Sequence, residues 1–226
     1  AIWFSSDKIS YWLMAQPQFK TLENLKGKKI AITGLGGTVH VAFNLAMEKA
    51  GVNPRDFVLV SMPGQQIQQL ISLESGYVDA ALLSPPVNFG AEKKGFSKVY
   101  DVGASVDMPG GGLTALVKTI QERPSETKRV IRSLQLAKEE IRKSKPKTVE
   151  LIIRLLKMDR EAANVTYDQF LTTLSPSGVP TRVGMDVLVK SVQAQGRHVD
   201  RKVAFNDIAD DRLASEVAKE LGYKIP

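Results

Sequence analysis

The chain has no cysteine, so disulfides, thiolate metal sites and a thiol nucleophile lie outside its chemistry. Histidine is nearly absent too. His40 and His198 stand far apart, and a zinc site would need partners the sequence does not offer. Aromatic residues make up 7%, too few for the stacking platforms of single-strand nucleic-acid binders. No apolar run approaches the ~20 residues of a membrane span. Long blocks of one charge are also missing. The net charge of +7 comes from Lys and Arg interleaved with acids, as in KEEIRKSKPK at 138–147. Such mixing marks a solvated helix face, and no nucleic-acid motif accompanies it. There is no G-x-S-x-G nucleophile elbow, and Ser5, Ser6 and Asp7 do not make a triad with the scattered histidines.

What is there is an ordinary globular composition: 226 residues, 43% hydrophobic and 24% charged, enough for one large or two modest domains. The opening AIWF, without a Met, reads as the start of a processed or trimmed piece. The first half alternates strand and helix signals. Ile9–Ala15 is apolar and extended, Leu22–Leu25 is a short helical turn, and Ile30–Thr33 is a strand. A helix is predicted over Thr38–Ala50, stopped by Gly51, then a second buried strand over Phe57–Ser61. Ile67, Leu70 and Ile71 mark the apolar face of the next helix, followed by a strand at Val78–Leu83, a helix to Lys94 and the strand segment 97–103. This alternation predicts an α/β fold with a mainly parallel sheet covered on both faces.

After one more strand, Leu113–Val117, the second half turns helical. Pro124 opens a helix with Ile131, Leu134, Ala137 and Ile141 on one face. Ser144 is a cap candidate for a helix with Leu151, Ile152, Leu155 and Leu156 as a broad buried stripe. Further helices are expected at 160–173, at 182–195 (Met185, Leu188, Val189, Val192) and at 211–221, with Gly196 and Gly222 as stops. Trp3, Tyr11 and Trp12 are expected to pack in a core or hinge.

The stretch KKIAITGLGGTVH, 28–40, carries the chemistry: strand, glycine turn, helix start. That order points unpaired backbone N–H groups at a small anion. A dinucleotide fingerprint would need glycine where Val39 stands, and the P-loop lysine is absent. The strand ending at Ser61 also offers no ribose-binding acid, so nucleotides are excluded and no cofactor is expected. What remains is an anion-tolerant turn with Gly36, Gly37 and the hydroxyl of Thr38, beside His40, which faces either the pocket or the core. Two more polar turns follow strands and open helices: Gly64–Gln65 after Pro63, and Ser84–Pro85–Pro86 leading to Asn88. In a parallel sheet all three lie at the carboxyl edge, where ligands settle.

The segments FKTLENLKGKKIAITGLGGTVH, GVNPRDFVLVSMPG, LISLESGYVDAALLSPP and PGGGLTALV together resemble the nitrate/sulfonate/taurine-type solute-binding proteins of ABC importers. That family includes thiamine-precursor binding proteins. The resemblance covers roughly Trp12 to Phe170 and, more loosely, runs on to Gly222. It implies a type II periplasmic-binding-protein fold: a nearly complete α/β lobe at 18–103, and hinge strands plus an incomplete, helix-rich second lobe from 1–17 and 104–226. The crossings would fall near Tyr11–Pro17 and Ala104–Leu113.

The same resemblance implies that a small anionic or heterocyclic solute is captured without catalysis, with a membrane permease as partner and a periplasmic or extracytoplasmic location. The turns at Gly36–Thr38, Gly64–Gln65 and Ser84–Pro86 would contact the solute. Family members carry a further βαβ segment ahead of this chain's first residue, so a fragment, a modified lobe, or a partner chain or dimer filling the gap are the expected explanations. Two other readings share the scaffold: the effector domain of a regulator, and an enzyme like the thiamine pyrimidine synthases, whose cysteine-rich segment this chain lacks.

Overall fold

The computed structural model describes residues 1–194 and 196–225. Gln195, the last residue of the helix expected over 182–195, and Pro226, the last of the 104–226 segment, lie outside the described residues. The chain forms two compact units, Ser10–Val106 and Ala1–Ile9 with Asp107–Pro226.

After β1 (Trp3–Ser6), which belongs to the second unit, the chain enters the 10–106 unit with β2 (Trp12–Ala15). There follow β3 (Lys29–Ile32), α1 (Thr38–Lys49), β4 (Val58–Ser61), α2 (Gln66–Glu74) and β5 (Ala80–Leu83). α3 (Val87–Lys93), β6 (Ser97–Asp101) and α4 (Val102–Ser105) complete it. The sheet order is β4-β3-β5-β2-β6. β3 is parallel to β4 and β5, while β2 is antiparallel to both β5 and β6. Four strands therefore share a direction and β2 opposes them. Residues placed at a crossing by the resemblance thus form an interior strand, and the compact unit starts at Ser10 because β2 pairs on both sides.

The interior strands are buried on both faces, as their unbroken apolar runs require: Leu13–Ala15, Ile30–Ile32 and Ala80–Leu83 are all fully buried. On one face Met14, Ala31, Ala81 and Leu83 pack with Leu70 and Leu73 of α2 and Ala91 of α3. The chain moves from β3 out to β4 through α1, then back past β3 to β5 through α2. Right-handed crossovers in opposite directions put α1 on one face and α2 on the other. α1 buries Phe43 and Met47 completely, Phe43 meeting Phe57 edge-on at 5.4 Å.

Two expectations fail here. Phe57–Ser61 is not a buried strand, because β4 is the sheet's outer strand and Val58 is 50% exposed. On α2, Ile67 and Ile71 face solvent, and the buried face is Gln69, Leu70 and Leu73.

In the second unit β1 pairs antiparallel with β7 (Gly111–Leu113). The rest is helical: α5 (Val117–Glu122), α6 (Pro124–Lys143), α7 (Lys145–Leu156), α8 (Arg160–Thr173), α9 (Arg182–Ala194), α10 (Phe205–Ile208) and α11 (Arg212–Glu220). The strand expected over Leu113–Val117 ends at Leu113, and Val117 already starts α5. α6 begins at Pro124 as predicted, but its buried face is Thr127, Ile131, Gln135 and Lys138, and Ala137 is exposed. Polar side chains are drawn inward by β1. Trp3 Nε1 donates to Gln135 Oε1 at 3.3 Å, Gln135 Nε2 donates to the Pro176 carbonyl at 3.0 Å, and Lys138 lies over the Trp3 ring at 5.0 Å. The Ser144 hydroxyl does not cap α7; it donates to Glu140 at 2.8 Å. The α7 stripe is likewise not buried. Leu151, Leu155 and Leu156 are exposed, since α7 meets α8 through Val149 packed on Ala163 and Tyr167.

Gly178 sits at φ +75°, where a Cβ would run into the Trp3 indole nitrogen and Gln135 Oε1. Gly178→Ala is expected to destabilise the protein by about 3 kcal/mol or more in urea unfolding, with the indole fluorescence of the folded state altered.

Burial lowers the Lys138 ammonium to about 8, with Arg142 adding to the effect, and its Nζ has no hydrogen-bond partner. Asp7 opposes this shift by charge, while its own carboxyl is pushed up by burial. A depressed lysine binds its proton less well folded than unfolded. The Lys138 contribution therefore becomes more favourable as pH rises from about 8 towards the ordinary lysine value. Lys138→Met is expected to raise the melting temperature at pH 7 and to flatten that alkaline rise. Melting curves from pH 6 to 10.5 read both effects.

Candidate functional site

The strand register fixes where the chain reversals fall. Ile32 lies opposite Ser61, and Ala31 opposite Ala81, so β3, β4 and β5 end at one level. Trp12, opposite both Leu83 and Asp101, puts the start of β2 and the end of β6 at the same edge. β3 sends its helix to one face and β4 and β5 send theirs to the other, so the loops diverge and open a crevice at the carboxyl edge.

The first turn, residues 33–37, carries Gly36 at φ +76°, a left-handed conformation natural to glycine. The Gly36 N–H donates to His40 Nδ1 at 2.9 Å, and His40 Nε2 lies 3.3 Å from Asn44 Nδ2. His40 thus holds the turn in shape. Gly37 is the residue before α1, and its carbonyl takes the Val41 N–H. The amides of Thr38, Val39 and His40 precede that first helical bond and point out of the helix end. Thr38 is exposed, and no side chain caps this helix.

The second turn brings Gly64, at φ +117°, and Gln65 to the start of α2, both exposed. The third, Ser84–Pro86, is half-buried and contains a cis Pro85–Pro86 peptide. Asn88 differs from the rest. It is fully buried, and neither its amide nitrogen nor its amide oxygen has a hydrogen-bond partner. A buried amide left unpaired on both atoms is rare and costly.

Two residues that sequence reasoning passed over hold the turns in place. Gln66 Oε1 accepts from the Ser84 N–H at 2.8 Å and from the Ser84 hydroxyl at 3.0 Å. The Gln66 side chain also hydrogen-bonds the Tyr11 phenol, whose pKa burial pushes up and this contact pulls back. Gln69, one helical turn on, is fully buried. Oriented to satisfy both its atoms, its nitrogen donates to the Leu82 carbonyl and its oxygen accepts from the Thr33 N–H, each at 3.1 Å. The available signal was a glutamine standing beside Leu70 on the apolar stripe of GQQIQQLI.

The edge loops 33–40, 62–66 and 84–88 contain no Asp, Glu, Lys or Arg. Asp101, at the end of β6, caps α4 through the Ala104 N–H at 2.9 Å. Among the described residues no three His, Cys, Asp or Glu side chains gather as a metal site. The edge offers neutral hydrogen-bonding groups and two helix N-termini, those of α1 and α2, which favour a small polar or anionic guest.

Comparison with known proteins agrees with this architecture. The family model described as NMT1/THI5 like matches residues 4–147. No curated protein matches the chain. Among solved structures, a putative periplasmic sulfonate-binding protein of an ABC transporter from Methylobacillus flagellatus KT superposes with a TM-score of 0.74 at 18% identity, over 97% of this chain and 68% of its own. The periplasmic aliphatic sulphonate binding protein of Escherichia coli gives 0.73 at 17% identity, over 91% and 68%. The desulfurization enzyme DszB gives 0.60 at 13% identity, over 97% and 79%. The fold is that of periplasmic binding proteins, and the chain spans about two thirds to four fifths of these three structures' lengths.

Gln66→Leu leaves the Ser84 N–H and hydroxyl without their acceptor. It is expected to lower stability by about 2 kcal/mol in chemical denaturation and to speed amide exchange at residue 84, with exchange at Leu73 little changed.

Proposed function

Because the chain belongs to the NMT1/THI5-like family, we propose that it is the solute-binding component of an ABC importer. In this reading it captures a small anionic or heterocyclic solute, of the sulfonate, nitrate, taurine or thiamine-precursor type, and performs no chemistry on it. The observation that carries this reading is the common edge where the starts of α1 and α2 present free amides beside the Thr38 hydroxyl and the Ser84–Pro86 turn, with no charged side chain in the three loops. Asn88 supports it: a guest with both a donor and an acceptor would satisfy the two unpaired amide atoms. In this proposal Gly36, Gly37, Gly64, Gln65, Ser84 and Pro85 shape the contact surface, and His40 positions the first turn.

The partner in this reading is a membrane permease, and the location is extracytoplasmic. Both rest on the printed roles of the sulfonate-binding neighbours. Among the described residues no helix is long and apolar enough to cross a membrane. An enzymatic reading has one observation in its favour, the likeness to DszB. Against it, the sequence has no thiol and the edge loops hold no acid–base pair.

Calorimetric titration with taurine, propanesulfonate, nitrate, a small carboxylate and an aminopyrimidine tests the proposal. One of these is expected to bind, with affinity reduced roughly tenfold by Thr38→Ala and by Asn88→Ala. Asn88→Ala should at the same time leave the ligand-free protein as stable as before, because it removes unpaired groups. Binding indifferent to both substitutions would place the anchor elsewhere. Conversion of the solute, followed by NMR of the mixture, would overturn capture in favour of catalysis.

A further inference from the structure

The second unit holds a groove of about 370 Å3 between α9 and α10, within the size range of small-molecule sites and sharing no residue with the sheet edge. Its floor comes from α9. Met185, Leu188, Val189 and Val192 fall at i, i+3, i+4 and i+7, one face of a helix. Met185 at the near end is buried against Phe205 and Ala209. Further along, Leu188, Val189 and Val192 are only half-buried. Val203 and Ile208 form the facing wall.

The loop after α9 closes one end and brings a guanidinium, that of Arg201, to it. Gln193 Nε2 donates to the Arg201 carbonyl at 2.9 Å and to the His198 carbonyl at 3.4 Å. The Arg201 N–H donates back to His198 at 3.1 Å. Both residues line the groove. Arg197, Arg201 and Lys202 face only Asp200 in charge over 196–203, a balance of +2 with His198 neutral. The one acid lining the groove, Asp207, accepts the Ala204 N–H at 2.9 Å. An apolar trough with one cationic end matches an amphiphile with an anionic head.

We propose that this groove binds a free medium-chain carboxylate, its hydrocarbon tail along Leu188, Val189 and Val192 and its carboxylate at Arg201 and His198. The tail replaces water on half-buried aliphatic side chains, and the head meets a guanidinium that has no ion-pair partner among the described residues. Longer tails bind more tightly until the groove is full.

Titration of the full chain with hexanoate, octanoate and decanoate tests this, with octanol and octylammonium as controls. Affinity is expected to rise roughly fourfold per buried methylene over this series. Octylammonium should bind at least tenfold more weakly than octanoate. Arg201→Gln, an exposed position, is expected to cost carboxylate affinity about tenfold while leaving octanol unchanged. Val189→Asp should abolish binding, its fold checked by circular dichroism and by retained solute binding at the sheet edge. The proposal is overturned by affinities that ignore chain length, by equal binding of the ammonium, or by carboxylate binding untouched in both variants. Co-sedimentation with anionic vesicles without binding of monomeric octanoate would also overturn it, in favour of a membrane surface as the true occupant.

Discussion

Gln69 has no access to water, so its amide must find protein partners or leave two polar groups unpaired inside the sheet's cover. The partners are the Thr33 N–H just past β3 and the Leu82 carbonyl of β5. Meeting both from one side chain sets the ends of the two strands at a fixed relative height. Gln66, one turn earlier on the same helix, then ties Ser84 and Tyr11 to the same level. The geometry of the crevice therefore depends on α2 rather than on the loops that form its surface. Side chains with preorganised supports of this kind are what lets a binding edge keep its shape while empty.

Much of the first unit was legible because its elements are short, regular and punctuated by glycine. The strand at Ile30, the helix opening at Thr38 and the three polar turns all follow from local pattern, and the register then places those turns at one level. What pattern could not supply was rank within the sheet. The FVLVS run has the composition of an interior strand, yet β4 lies at the rim, and only the strand order reveals it. The roles of Gln66 and Gln69 were hidden for a similar reason, since a glutamine on an apolar stripe gives no hint of the backbone groups it will meet. Asn88 was singled out from its turn as a candidate contact, but its complete burial was not legible there.

The second unit was less legible because its helices bury polar side chains and expose apolar ones. Gln135 and Lys138 lie inside on α6 because Trp3 offers an indole N–H and a ring face to them. Leu151, Leu155 and Leu156 remain outside because α7 packs chiefly on α8, and that contact centres on Val149. Periodicity marks which residues share a face. It does not say which face the neighbours will take.

The placement of β2 has a consequence for how the unit comes into being. Trp12–Ala15 has its partners at 80–83 and 97–101, so both ladders of this interior strand join distant stretches of the unit's sequence. Neighbouring helices and the β3–β4 pair can assemble from local contacts, but the middle of the sheet waits for its far end to be synthesised. Closing so long a loop is the slow part of acquiring the native topology. Until then residues 13–15, which are wholly buried at the end, stay exposed to solvent and to other nascent chains.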